Sequence, residues 1–401
     1  MVEVAKLLSV FVLMMVLIHR KANLGQVMMI AAATLGLLFG MNALSIGRTF
    51  LTGTLDDDTL SLIVILVLIM FLENLMRKTL ILQRMVNALK ILIKDHRLVM
   101  ALLPAFIGFL PSPGGAMFSA PMVGEVSREM PMSPETKSFI NYWYRHIWEY
   151  VFPLYPGIIL ASKILEVPIR NLMVLQFPFT IVAILAGIPI AFWGTKNHSL
   201  PVADRNIRKA LLDLLIGIGP ITIVIILVLV FKVDLVWALA LAVVGLLIAN
   251  RYDFNRILSL RESFSINTVF LVLGVMIFKQ MLVESRAVDA LPAFAASQGI
   301  PVFVVVFALP FLVGLLTGYA QAVVGIAFPV FLGLSGSGGL DMNLVAFGFV
   351  SGFAGVLLSP THLCLILTIQ HFKADFGRVQ RKLLVPVVIL VAYAAIFYLP
   401  R

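Results

Sequence analysis

Leu98-Val-Met-Ala-Leu-Leu-Pro-Ala-Phe-Ile-Gly-Phe-Leu-Pro-Ser-Pro-Gly-Gly-Ala-Met-Phe-Ser-Ala-Pro-Met-Val123 is apolar almost throughout, yet Pro111, Pro113, Gly114 and Gly115 fall in its middle. Helix interiors reject proline, because it lacks an N–H and its ring meets the preceding turn. Each half is well short of the roughly 20 residues that cross a hydrocarbon core of about 30 Å. Two short arms joined by an irregular tip predict a re-entrant hairpin, tolerated at membrane depth where protein or a water-filled cavity satisfies the freed backbone. A single kinked helix is the alternative.

The pattern recurs. Residues 302–334 are apolar and broken at Thr317-Gly318-Tyr319-Ala320-Gln321, and Ala101–Leu110 aligns with Phe307–Leu316, placing Pro104 over Pro310 and Gly108 over Gly314. Downstream, Phe118-Ser119-Ala120-Pro121 echoes Ala327-Phe328-Pro329, and upstream Met70–Leu75 resembles Ile277–Leu282. The span after each hairpin is also interrupted: Val151-Phe152-Pro153-Leu154-Tyr155-Pro156-Gly157 corresponds to Val356-Leu357-Leu358-Ser359-Pro360-Thr361-His362. Such self-similarity predicts two structural repeats.

Around these segments the 401-residue chain is 61% hydrophobic and only 12% charged, with a mean hydropathy of +1.05. Soluble domains carry about 25% charged residues, so soluble enzymes, disordered chains and fibrous proteins are excluded and an all-α polytopic membrane protein is expected. Ten runs have the length and polarity of spans: residues 2–18, 24–47, 60–76, 139–162, 172–193, 211–231, 233–249, 263–283, 343–370 and 383–399. The first lacks a basic leader and a small-residue cleavage site, and reads as a helix. The first repeat then occupies residues 1–196 with its hairpin at 98–123, a cytoplasmic linker 197–210, and the second repeat 211–401 with its hairpin at 302–334. Five spans per repeat is an odd number, so the second copy is inverted relative to the first.

Charge orients this layout. With ten spans and two returning hairpins, 21 Lys and Arg fall in one set of loops and eight in the other, with Arg145 inside a span. The positive-inside bias puts the richer set in the cytoplasm of a cell-membrane protein and both termini outside. The net charge of +10 is thereby explained without nucleic acid. Residues 77–97, with basic residues among Leu, Ile, Met and Val, predict an amphipathic helix in the inner interface in contact with membrane lipid, and 288–298 the outer counterpart.

Inverted repeats, broken helices and a midplane site are the build of a secondary transporter. No Walker A loop is present, which leaves an ion gradient as the energy source. Two repeats of spans, hairpin and broken span resemble the ion transporter superfamily, which includes divalent-anion/sodium symporters, citrate transporters and sodium/proton or arsenite antiporters. Leu110–Met122 with Leu358-Ser-Pro-Thr-His-Leu-Cys-Leu365 resembles in particular the DUF401 family of integral membrane proteins. The resemblance implies an elevator-type carrier, a homodimer with a scaffold and a moving transport domain. The symporters carry Ser-Asn-Thr at their tips, which these tips lack, so the resemblance does not carry a dicarboxylate with it.

The candidate site residues are those at the breaks. At the tips, Ser112, Pro113, Gly114, Gly115, Thr317, Gly318 and Gln321 offer free carbonyls, hydroxyls and close backbone approach. At the broken spans, Tyr155, Pro156, Gly157, Ser359, Pro360, Thr361 and His362 do the same. Unwound carbonyls suit Na⁺, the one metal expected here, and half-helix N-termini suit an anion. Charges within spans are expensive, which marks Arg145, His146 and Glu149 for a substrate or proton role. Glu73 is expected to snorkel to the interface or pair with Arg77, and Asp56-Asp57-Asp58 to form a solvated turn. The single Cys364 makes no intrachain disulfide, and no linear Cys/His spacing matches zinc. The expected function is movement of a small, anionic, carboxylate-like solute by alternating access, coupled to Na⁺ or H⁺, without a cofactor. An antiporter or exporter is the alternative. An intramembrane enzyme lacks a His-Glu-x-x-His, paired-aspartate or Gly-x-Ser-x-Gly motif, and a channel is disfavoured by two occluding hairpins.

Overall fold

The computed structural model describes residues 2–109, 115–128, 130–195, 206–252, 264–287, 297–333 and 340–399. Ser112, Pro113 and Gly114, most of the 197–210 linker and most of the 288–298 arm lie outside the described residues. What is described is helical, with no strand. Among the described residues, seven segments are long and apolar enough to cross a membrane: Val2–His19, Asp57–Lys78, Ile169–Phe192, Ile207–Leu229, Ile266–Glu284, Met342–Phe372 and Phe376–Tyr398. Large apolar side chains stand exposed along them, among them Leu185, Leu215 and Val385. Rows of exposed leucine and valine on long helices are tolerated against lipid tails, and the chain is a polytopic membrane protein.

Helix starts follow from short polar side chains. Asn23, Asn42, Asp56, Asp95, Ser133, Asp234, Asp341 and Asp375 each accept from a backbone N–H one turn into the helix they precede. The Asp95 carboxyl, held by the Arg97 guanidinium and backbone N–H, lies below the usual carboxylate range. Asp56 is thus a cap, and Asp58 is held by Lys163 at 2.7 Å, so the acidic triplet is a built turn and more than a solvated one. Glu73 and Arg77 do form an ion pair.

Three expected segments differ. The span read at 24–47 is two helices, Leu24–Leu38 and Ala43–Leu55; Gly40 at φ +81° turns the chain and Asn42 restarts it by capping Ser45 N. The amphipathic segment 77–97 is confined to Ile81–Leu92, because Leu80 at φ +57° and Asp95 break it on either side. The span at 139–162 is Pro134–Arg145 and Pro156–Ile164, and the break between them, residues 146–155, starts earlier than the prolines suggest.

The arms His96–Ile107 and Ala116–Val126 pack against each other, as do Val302–Thr317 and Ala320–Gly333. Pro156–Ile164 packs against Ala320–Gly333, and Leu363–Phe372 packs against Ala116–Val126, so each broken span contributes a half to the other hairpin. A second group consists of Leu24–Leu38 along Ile266–Glu284, Asp57–Lys78 along Leu235–Ala249, and Ile207–Leu229 along Ile81–Leu92. Glycine permits the closest of these approaches: a Cβ on Gly25 would overlap the Phe270 carbonyl, the small-residue packing that holds helices together without a hydrophobic drive.

Candidate functional site

The turns of residues 146–155 are fixed from two sides. Trp148 Nε1 donates to Ala105 O at 2.9 Å and the Tyr155 hydroxyl to Gly108 O, both on the first hairpin. Trp143 Nε1 donates to Ala183 O and Thr180 Oγ1 to Ile147 O, each at 2.9 Å, anchoring the turns to Ile169–Phe192. These long-range bonds replace the helical ladder and explain why the helix stops at Arg145 with no proline beside it. Gly108 presses on the same place, since a Cβ there would strike the Arg145 carbonyl.

In the second break, Ser359 Oγ lies 2.8 Å from Thr361 Oγ1 and accepts from Thr361 N. The tip of the second hairpin is tighter than expected: Thr317 is helical, its hydroxyl bonded to Val313 O at 2.7 Å, and only Gly318 and Tyr319 separate the arms. Gly318, at φ +70°, lies against the backbone of His362, and its carbonyl receives His362 Nδ1 at 2.8 Å.

A cavity of about 150 Å³ opens where these pieces meet. Arg145, His146, Glu149, Tyr155, Pro156, Gly157, Gly318, Gln321 and His362 all line it, joined by Tyr319 and Cys364. The remaining candidates among the described residues stand around it. Gly115 faces the Arg145 guanidinium, which a Cβ would displace. Thr317 and Ser359 are buried in local hydrogen bonds, and Pro360 and Thr361 are exposed beside the break. The cavity joins residues more than 200 positions apart: His146 Nε2 lies 3.2 Å from His362 Nε2. A wider cleft of about 720 Å³, lined by Asp58, Lys163, Glu166, Arg170, Lys232 and Asp234, contains none of the expected residues.

Two features were not read from the sequence. Cys364, in the first turn of Leu363–Phe372, joins His146 and His362, so that one ligand atom from each lies within 4.8 Å of the others. Asn141 crosses the interface between the halves, donating to Thr368 Oγ1 at 2.9 Å and Ala116 O at 3.3 Å. Its signal was a lone asparagine among aromatic residues, with nothing in the sequence to name the distant Thr368. Asn141→Leu is expected to lower stability by about 1 kcal/mol, the scale of a buried hydrogen bond between membrane helices. Thermal unfolding in detergent measures it, and an unchanged midpoint would assign the contact no weight.

Residues 3–400 match the family described as protein of unknown function (DUF401). The chain belongs to the DUF401 family. No curated protein matches it. Membership covers nearly the whole chain, so the cavity and both hairpins lie within the shared region.

Proposed function

We propose that this DUF401 protein is a secondary active transporter of the ion transporter superfamily type, carrying a small carboxylate-like anion across the cytoplasmic membrane in exchange for the energy of a Na⁺ or H⁺ gradient. The observation that carries this reading is the convergence of three half-helix N-termini on one cavity: those of Pro156–Ile164 at Pro156 and Gly157, of Ala320–Gly333 at Ala320 and Gln321, and of Leu363–Phe372 at Leu363 and Cys364. Each presents unsatisfied N–H groups and a positive partial charge, and Arg145 adds a full one. Such an arrangement favours an anion, and its short helices are those of a transporter's midplane site.

The repeat layout draws support from packing that is reciprocal between the halves. Each broken span lends its second half to the opposite hairpin, and Leu24–Leu38 with Ile266–Glu284 mirrors Leu235–Ala249 with Asp57–Lys78. In this reading the hairpins, the broken spans and their neighbours Ile169–Phe192 and Phe376–Tyr398 form the moving body, and the remaining helices form a scaffold through which two copies dimerise. The cytoplasm faces the basic loops, and both termini are outside.

Reconstituted in proteoliposomes, the protein is expected to accumulate an anion, selected beforehand by its thermal stabilisation of the protein, only when a Na⁺ or pH gradient is imposed, with saturation and counterflow. Uptake indifferent to both gradients would contradict the coupling. Labelling of a cysteine placed at position 90 from outside intact cells would contradict the topology.

A further inference from the structure

We infer that His146, His362 and Cys364 form a binding site for a zinc ion, with the fourth coordination position open to the cavity. The argument begins with where the ring protons are. His146 Nδ1 lies 2.6 Å from Tyr142 O, and His362 Nδ1 lies 2.8 Å from Gly318 O. A carbonyl oxygen only accepts, so each Nδ1 carries the proton and each neutral ring presents a bare lone pair at Nε2. These two nitrogens lie 3.2 Å apart. Two lone pairs at that separation repel unless a positive centre is shared between them.

A tetrahedral metal fits that centre. Two imidazole nitrogens at about 2.0–2.1 Å from a tetrahedral zinc are ~3.3 Å apart, which the observed separation matches. The backbone bonds at both Nδ1 atoms are what orients metal-bound histidine, fixing the tautomer that leaves Nε2 free. Cys364 supplies the third atom, within 4.8 Å of both nitrogens. Tetrahedral zinc would hold sulfur ~3.6 Å from each nitrogen, an adjustment of about 1 Å. Cys364 sits in the first turn of Leu363–Phe372 and lines the cavity.

A set of two imidazoles and one thiolate suits zinc better than calcium or magnesium, which take oxygen. Glu149 Oε1 lies 3.7 Å from His146 Nε2 and lines the same cavity, and Arg145 and the converging N-termini favour an anion there. Binding replaces the thiol proton: one Zn²⁺ joins the sulfur, one H⁺ leaves, and the two imidazoles lose none. Because His146 belongs to the first break, His362 to the second and Cys364 to the helix that follows it, the ion ties the two halves together. The site goes beyond the transport reading and does not depend on it, since binding is measured on the protein at rest.

The test titrates chelator-treated, purified full-length protein with Co²⁺ and then Zn²⁺. One Co²⁺ per chain is expected, with a thiolate-to-cobalt charge-transfer band that Zn²⁺ abolishes. Cys364→Ser is expected to lose the band, and His146→Ala and His362→Ala each to weaken binding about tenfold or more. Zn²⁺ is also expected to slow alkylation of Cys364 in the unaltered protein at least about tenfold, a readout that stands even if a variant fails to fold. No thiolate band and no protection of Cys364 would overturn the site, leaving the histidines to share a proton. Full affinity in a folded His362→Ala protein would overturn it equally.

Discussion

Gly318→Val is expected to destabilise the protein by about 3–4 kcal/mol, while Gly40→Val loses only about 1–2 kcal/mol, the strain of a left-handed backbone. Both glycines have positive φ, +70° at Gly318 and +81° at Gly40. They differ in what surrounds them. A Cβ on Gly318 would lie 2.8 Å from the His362 backbone nitrogen and 3.0 Å from Thr361 Oγ1, whereas Gly40 has nothing within 4 Å. The valine must therefore push the hairpin tip off the second break and separate the Gly318 carbonyl from His362 Nδ1. The rate of Cys364 alkylation is expected to change about tenfold or more, the factor that about 1.4 kcal/mol of local destabilisation produces. Thermal unfolding and alkylation rates of the pair check this. Equal losses for the two variants would show that the tip does not lean on the break.

Gly355→Val is expected to cost about 3 kcal/mol or more and to deplete folded protein in the membrane. Val302–Thr317 and Met342–Leu358 meet backbone to backbone: a Cβ on Gly355 would overlap the Phe311 carbonyl and lie 2.8 Å from Leu315 N, and one on Gly314 would overlap the Gly352 carbonyl. No rotamer relieves a clash with main chain, so the helices must separate and lose the dispersion contacts that hold them in lipid. Gly245→Val is the control, since Gly245 has nothing within 4 Å and valine there is expected to be nearly neutral. Yield and unfolding midpoint in detergent measure both. A Gly355→Val protein as stable as the control would refute the close packing of the second hairpin on its broken span.

The sequence made legible those features that one residue enforces locally. Gly318 announced the second tip and Pro156 the start of a half-helix, whereas the close approach of the aligned Gly108 and Gly314 to Arg145 and Gly352 emerges only in the fold. The end of Pro134–Arg145 was not legible, because it is imposed by bonds from Trp148 and Tyr155 to carbonyls some 40 residues away. The split of 24–47 had a local signal in Gly40 and Asn42, overridden in the reading by the apolar run on both sides. Nearness of His146 to His362 and Cys364 left no trace in spacing, since only the packed fold brings the two breaks together. Single residues encode turns; their assembly into a cavity is a property of the packed helices.

Cys364, the chain's one cysteine, lines the cavity and reports whether, as proposed, a single site opens alternately to the two sides of the membrane. The measurement is its reaction with a membrane-impermeant thiol reagent, applied to right-side-out and to inside-out vesicles of the unaltered protein. Reaction from both sides is predicted, with modification from one side protecting the residue from the other. Reaction from one side alone under every ionic condition, or from neither, would contradict the account.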